Sequence, residues 1–134
     1  MEKYEGQIRF VYRDFPVLGN NSTGAALAAE CADDQGMFWE YHVLLFANHD
    51  QLGFDMFLQL AGDLELDIDQ FTTCVEEQTH VDEMTADFAA AVQIGAQGTP
   101  AFLINGRFVA GAQSLESFSI IIDEELANVE TDEL

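Results

Sequence analysis

Gly98-Thr99-Pro100-Ala101-Phe102-Leu103-Ile104-Asn105-Gly106-Arg107-Phe108-Val109-Ala110 is the segment around which the rest of the chain is organised. Ala101 to Ile104 is a continuous apolar run, short enough for a strand buried on both faces, and Asn105-Gly106 follows it directly. Asn-Gly is the strongest two-residue hairpin signal, because a type I′ turn needs positive φ at both central positions. Arg107 to Ala110 is then the returning strand. Ahead of the hairpin, Thr99-Pro100 closes a glycine-containing loop, where the proline fixes φ near about −65° and removes an N–H donor. Such a loop leaves preceding backbone groups open to an extended ligand.

Working outward, Ile8-Arg9-Phe10-Val11-Tyr12 reads as another strand, rich in β-branched and aromatic residues and stopped by Arg13-Asp14. Leu18 to Thr23 is a loop with N-cap candidates. Asn20 and Asn21 stand in N-x-S/T sequons, which without an export signal are more simply loop and cap residues. From there to about Ile94 the periodicity is helical. Leu27 and Cys31 share one face, and Phe38, Tyr41, His42, Leu45 and Phe46 follow the stripe of a core-facing helix. Met56, Phe57 and Leu60 follow Gly53. Asp67 with Gln70 has the form of a capping box opening a helix whose inner face is Ile68, Phe71, Cys74 and Val75. Val81, Met84, Phe88, Ala91 and Val92 make the next stripe. After the hairpin, Ser114 caps a final helix with Leu115, Phe118, Ile121, Ile122 and Leu126 inward, and the acidic tail Glu130 to Leu134 is expected to fray.

The 134 residues suit one domain, and 49% hydrophobic residues with eleven Phe favour a folded chain over a disordered one. Charge is the outlying property: 25 Asp+Glu against 4 Lys+Arg gives a net charge of −21. Nucleic acid and anionic membrane surfaces are excluded as partners, since both need cationic patches. Two readings of this acidity stand equal, adaptation to saline surroundings and an ordinary acidic, soluble surface. The N-terminus shows no apolar signal segment, so a cytoplasmic location is the default. Phe88 to Gly106 carries no charge, but Gly95, Gly98 and Pro100 interrupt it, so it reads as helix, loop and buried strand rather than a membrane span.

Tyr12-Arg13-Asp14-Phe15-Pro16, Ala28-Ala29-Glu30-Cys31-Ala32 and Gln35 to His42 with Leu44-Leu45-Phe46 resemble the DsbA-like thiol:disulfide oxidoreductases of the thioredoxin superfamily. The similarity continues through Gly98 to Phe102, Ile104 to Arg107, Gly111-Ala112-Gln113 and Ile122 to Leu126. It implies one α/β domain over residues 1–134. That domain is a truncated thioredoxin-like fold with a helical insertion at about 22–94, about three strands and a C-terminal helix. The resemblance also implies a cis proline at Pro100, and a peptide-binding role for Gly98, Thr99 and Pro100 in which main-chain groups pair with an extended substrate. Family members are often extracytoplasmic.

The chain departs from the family in one respect. Relatives carry a strand, a C-x-x-C motif and a helix ahead of the strand matching Ile8 to Tyr12, and none of these is in this sequence. Dithiol exchange needs one sulfur to attack and a neighbour to resolve, and no C-x-x-C is present to do so. In the thioredoxin layout the absent strand lies between Ile8–Tyr12 and Ala101–Ile104, so two strands are left with open edges. A symmetric homodimer is the expected way to close them.

Cys31 and Cys74 both fall on inner faces. They read as buried thiols acting as small hydrophobes or, since some relatives carry a second cysteine pair at similar places, as a structural disulfide. His42, His49 and His80 show no recognised ligand spacing; His49-Asp50 and His80 with Asp82 and Glu83 are weak metal candidates at most, and no metal or cofactor is expected. Trp39 and Tyr41 read as packing residues. No catalytic residue is assigned. The resulting expectation is a catalytically inactive protein- or peptide-binding or self-assembling module. The alternative is the larger part of an oxidoreductase whose C-x-x-C segment is missing from this chain or supplied by another.

Overall fold

Apolar stripes separated by Gly, Asp and Asn dictate a mostly helical chain, and the computed structural model describes residues 2–132. A short 3-10 turn at Glu2–Tyr4 precedes α1 (Asn20–Asp33), α2 (Phe38–Ala47), α3 (Phe54–Asp63), α4 (Ile68–Glu76) and α5 (Val81–Gln93). Next come β1 (Ala101–Ile104), β2 (Arg107–Ala110) and α6 (Leu115–Asp132). The chain divides into two units, Asp14–Ala90 and Met1–Arg13 with Ala91–Leu134.

In the helical unit the core is built from Ala28, Ala29, Cys31 and Ala32 of α1, Tyr41 and Leu45 of α2, Phe57, Leu60 and Ala61 of α3, and Phe71 and Cys74 of α4, with Leu66 between α3 and α4. The alanines of α1 let neighbouring helices approach closely. Tyr41 is fully enclosed, its ring 5.5 Å from that of Phe71, and its hydroxyl donates to the Phe57 carbonyl at 3.0 Å. That bond satisfies a polar group which would otherwise be costly to bury.

Four helix ends, those of α1, α3, α4 and α5, share one device. The N–H of Met37 reaches the carbonyl of Ala32, Leu66 that of Ala61, Thr79 that of Cys74 and Ala96 that of Ala91. Each is the six-to-one bond of a Schellman motif, which requires a left-handed residue just before it. Gly36 and Gly95 supply it at no steric cost; Glu65 and Gln78 supply it at φ 57° and 51°.

In the second unit β1 and β2 pair antiparallel with Ala101 opposite Ala110 and Ile104 opposite Arg107. Asn105 and Gly106 take φ 47° and 89°, the pair of positive angles the turn needs. Opposed residues share a face, so Phe102, Ile104, Arg107 and Val109 lie on one side of the hairpin. Against that side Phe118 of α6 sets its ring 4.7 Å from Phe102, and Arg107 meets Glu124 and Glu125 at 2.6 and 3.3 Å.

Several expectations are corrected. Ile8–Tyr12 forms no strand, and the sheet has two strands rather than three among the described residues. Strand propensity expresses a fit to a pleated, paired surface; β1 pairs with β2 alone, and the apolar composition of Ile8–Tyr12 does not create a ladder by itself. Ala101–Ile104 is covered on one face only: Leu103 on the other is 53% exposed and Phe108 opposite it 41%. Phe46, Ile68, Phe88, Val92 and Leu115, expected on inner faces, are exposed, as is Trp39; Phe46, Phe88 and Trp39 each keep one side against a ring, that of His42, Phe15 and Phe38. Helix α1 begins earlier than expected, at Asn20, and its cap is Gly19 at φ 89° without a side-chain cap bond. Asp67 caps α4 by accepting from Gln70 N–H at 3.0 Å, but the reciprocal half of the box comes from Gln35, which bonds both the N–H and the carbonyl of Asp67. Ser114 caps α6 through the N–H of Ser117. The tail is helical as far as Asp132, and Glu133 and Leu134 lie outside the described residues. No helix among the described residues is long and apolar enough to cross a membrane.

Candidate functional site

Two places carry chemistry, one in each unit. In the hairpin unit, Gly98, Thr99 and Pro100 form the entry to β1, with Gly98 half-buried and Thr99 and Pro100 exposed. The Thr99–Pro100 peptide bond is cis. The Pro100 carbonyl accepts from Gly111 N–H at 2.8 Å, which ties the loop to the far end of β2. Thr99 differs from its neighbour: among the described residues neither its N–H nor its carbonyl takes part in a hydrogen bond. An exposed main-chain donor and acceptor at the mouth of a strand can pair with an extended polypeptide, which brings its own unpaired groups.

In the helical unit, Cys31 of α1 and Cys74 of α4 are joined as a disulfide, with Cα atoms 5.9 Å apart. Both are buried. One turn along α1 from Cys31, Asp34 sets Oδ2 3.6 Å from Cys74 Sγ. A disulfide sulfur carries no proton, so this is a contact rather than a hydrogen bond. The same oxygen lies 2.8 Å from Nε2 of His80, whose Nδ1 is 3.5 Å from Glu83 Oε2. His80 arrives there because the Schellman turn after α4, with Thr79 bonded to Cys74 and Gln78 left-handed, folds the chain back before α5 begins.

Carboxylates crowd this region. Asp14, almost fully enclosed, has its carboxyl pushed up to about 6 by burial and by the charge of Asp87, while a hydrogen bond with Glu30 pulls the other way. Glu30 is pushed up to about 7 by burial, then by Asp14, Glu83 and Asp33. Burial lowers His80, but its hydrogen bond and charge pairing with Asp34 and its contact with Glu83 outweigh that and leave it raised. His42, by contrast, is lowered by burial within the rings of Phe38, Trp39 and Phe46.

Of the sequence-derived candidates, the structure joins Cys31 to Cys74 and keeps Gly98, Thr99 and Pro100 contiguous on one exposed loop. To His80 and Glu83, which the sequence offered with Asp82 only as a weak metal candidate, it adds Glu30 and Asp34. Ligand atoms of Cys31, Cys74 and His80 lie within 4.8 Å of one another, as do those of Glu30, His80 and Glu83. A faint signal was available: Cys31 and Asp34 stand three apart on α1 and so share a face. The approach of His80 to Asp34 and the cysteines had none, since it depends on a left-handed Gln78.

The geometry can be set beside known proteins. Over 117 residues the chain is 35% identical to a protein named Na(+)/H(+) antiporter NhaA 3 from Salinispora tropica, a match covering 86% of this chain and 18% of that protein. It is 34% identical over 122 residues to Na(+)/H(+) antiporter NhaA 1 from Salinispora arenicola, covering 90% of this chain and 19% of that protein. It is 28% identical over 127 residues to Na(+)/H(+) antiporter NhaA from Herminiimonas arsenicoxydans, covering 95% and 20%. The chain thus spans about a fifth of the length of these curated relatives. The family model described as thioredoxin matches residues 1–124, a span that takes in the hairpin, the Thr99–Pro100 loop and all of the helical unit, and the chain belongs to the thioredoxin family.

Proposed function

We propose that this chain is a DsbA-like thioredoxin-fold module that holds an extended polypeptide along Gly98–Thr99–Pro100 and does not itself catalyse thiol–disulfide exchange. The observation that carries the reading is Thr99, an exposed residue whose main-chain donor and acceptor are both unengaged among the described residues. The chemistry supports it from the other side: the chain's two cysteines are bonded to each other in a buried bridge, and no C-x-x-C stands within the sequence. A buried disulfide offers an attacking thiolate poor access. An insulin-reduction assay on the purified chain, with dithiothreitol as electron source, checks this. The expected rate equals the background, and turnover well above it overturns the reading in favour of an oxidoreductase that works without C-x-x-C.

One observation favours a second reading. The matched stretch makes up only 18–20% of relatives named Na(+)/H(+) antiporters. A module of this kind is an accessory part of a larger protein, and in such a protein a C-x-x-C segment or a transport unit can lie elsewhere in sequence. Adding a synthetic peptide with a strand and C-x-x-C to the assay separates the two: restored turnover supports the oxidoreductase.

Self-association belongs to the first reading. The open hairpin face with Leu103 and Phe108 is an apolar surface that a second copy would cover. Light scattering at several concentrations should show a dimer, and a strictly monomeric mass defeats it. Salt adaptation is the companion proposal for the charge of −21: the thermal midpoint should rise from low to high NaCl, and a constant midpoint contradicts it.

A further inference from the structure

We propose that reduction of the Cys31–Cys74 disulfide turns this corner of the helical unit into a tetrahedral Zn²⁺ site. The two thiolates, a ring nitrogen of His80 and a carboxylate oxygen of Asp34 are the ligands.

The donors already converge. Cys31 Sγ, Cys74 Sγ and a His80 ring nitrogen lie within 4.8 Å of one another. Asp34 Oδ2 touches both Cys74 Sγ, at 3.6 Å, and His80 Nε2, at 2.8 Å. Two sulfurs, one imidazole and one carboxylate are a donor set that zinc accepts, with Zn–S near ~2.3 Å and Zn–N near ~2.0 Å. Tetrahedral geometry at those lengths puts the sulfurs roughly 3.8 Å apart, so each cysteine need only turn its side chain away from the bonded position. The backbone separation of 5.9 Å need not change. Glu83, against the other ring nitrogen of His80 at 3.5 Å, is placed to orient the imidazole once it ligates.

In the oxidised chain these sulfurs are bonded to each other and cannot ligate. A dithiol reductant supplies the switch: its thiolate attacks one sulfur, its second thiol resolves the mixed disulfide, and the products are the protein dithiol and the reductant's own disulfide. Two electrons and two protons pass to the protein. Zinc binding then releases the two thiol protons and forms two Zn–S bonds. The Glu83 carboxylate beside His80 favours a divalent cation at the site, and the helices that carry Cys31 and Cys74 hold the thiols together after the bond is cut.

The test uses the full chain and Zn²⁺ alone, titrated with competing chelator before and after reduction by a phosphine, which does not bind zinc strongly. The reduced chain should take one Zn²⁺ per molecule, and the oxidised chain should bind about 100-fold more weakly or worse, losing its thiolate ligands. Co²⁺ in place of Zn²⁺ should give thiolate-to-cobalt charge transfer in the reduced chain only. With both thiols intact, His80→Ala should weaken binding by about tenfold or more, and Glu83→Gln by less. Far-ultraviolet circular dichroism follows the fold throughout, and a reduced chain that loosens should recover helix as Zn²⁺ binds. Equal uptake by oxidised and reduced chains, full affinity in a Cys31→Ser/Cys74→Ser variant, absence of charge transfer, or an unfolded reduced chain that zinc does not restore would each overturn the proposal.

Discussion

In the helical unit Tyr41, Phe71, Leu60 and Cys31 are enclosed almost completely, whereas in the hairpin unit the buried residues among those described are Tyr4, Ala96 and Ser119. The first unit brings helices together on small residues and ties α1 to α4 covalently. The ties described in the second include the aromatic pair Phe102 with Phe118 and several polar contacts: Tyr4 donates to Asp123 at 2.7 Å and to the Ser119 carbonyl at 3.3 Å, and Arg107 pairs with Glu124. Exposed ion pairs of that kind contribute little. The contrast shows where stability resides and where surface is left over. A unit with its own core can hold a shape alone, while a hairpin with one apolar face open is suited to meeting something else.

The largest effect that would sharpen this contrast is loss of the disulfide. The bridge closes a loop with a sequence separation of 43, for which the chain-entropy relation gives about 4 kcal/mol. Urea unfolding of the Cys31→Ser/Cys74→Ser variant should show a loss of that order. A change below about 1 kcal/mol would mean that the helical core needs no staple.

Next come the two buried tyrosines. Tyr41→Phe removes a fully enclosed hydrogen bond to the Phe57 carbonyl, which keeps its helical partner within α3, and should cost about 1–1.5 kcal/mol. Tyr4→Phe leaves Asp123 free to turn to water and should cost about 1 kcal/mol or less. Equal losses from the two substitutions would break the comparison.

pH tests the carboxylates of the helical unit. Asp14 and Glu30 bind protons more tightly folded than unfolded, since their folded values stand at about 6 and 7 against ordinary carboxyls near 4. Stability that raised carboxyls contribute at low pH is therefore lost as pH climbs from about 4 through about 7. His80, also raised, acts in the same sense: its contribution is present below about 6.5 and lost as pH rises through its folded value. In about 1 M NaCl, where long-range repulsion is screened, unfolding free energy should fall by roughly 1–3 kcal/mol between pH 4.5 and 7.5. Asp14→Asn should flatten that slope, and an unchanged slope would remove Asp14 from the account.

The smallest effect concerns a helix end. Gln78 holds φ 51° without being glycine. Gln78→Gly should therefore gain about 0.5–1 kcal/mol, the left-handed penalty less the glycine entropy cost. A loss instead would show that the Gln78 side chain makes a contribution the backbone does not reveal.

Legibility in the sequence followed the range of the interactions. Asn105-Gly106 specifies its turn locally, and the apolar stripes of Phe38 to Leu45 and of Phe71 to Cys74 specify buried faces over a few turns of helix; these were readable. The thioredoxin-type assignment rested on several motifs in one order, and the match over residues 1–124 agrees with it. Ile8–Tyr12 was misread because a strand exists only with a partner, and composition reports propensity alone. The second half of the Asp67 cap was hidden because Gln35, on the turn after α1, supplies it from far along the chain. His80 and Glu83 were readable as near neighbours in sequence, but the approach of His80 to Asp34 and Cys74 was hidden for a related reason: it is made by a left-handed residue that nothing in the identity of glutamine announces.

The central claim, that Thr99 presents its main chain to an extended polypeptide, is tested most directly by amide NMR. The ¹⁵N-labelled chain would be titrated with reduced, alkylated ribonuclease, an unfolded cationic polypeptide suited to a partner of charge −21. The account predicts saturable shifts centred on the amides of Gly98, Thr99 and Ala101, with the α1 and α4 amides unmoved. Shifts centred on the helical unit, or none at concentrations well into the millimolar range, would contradict it.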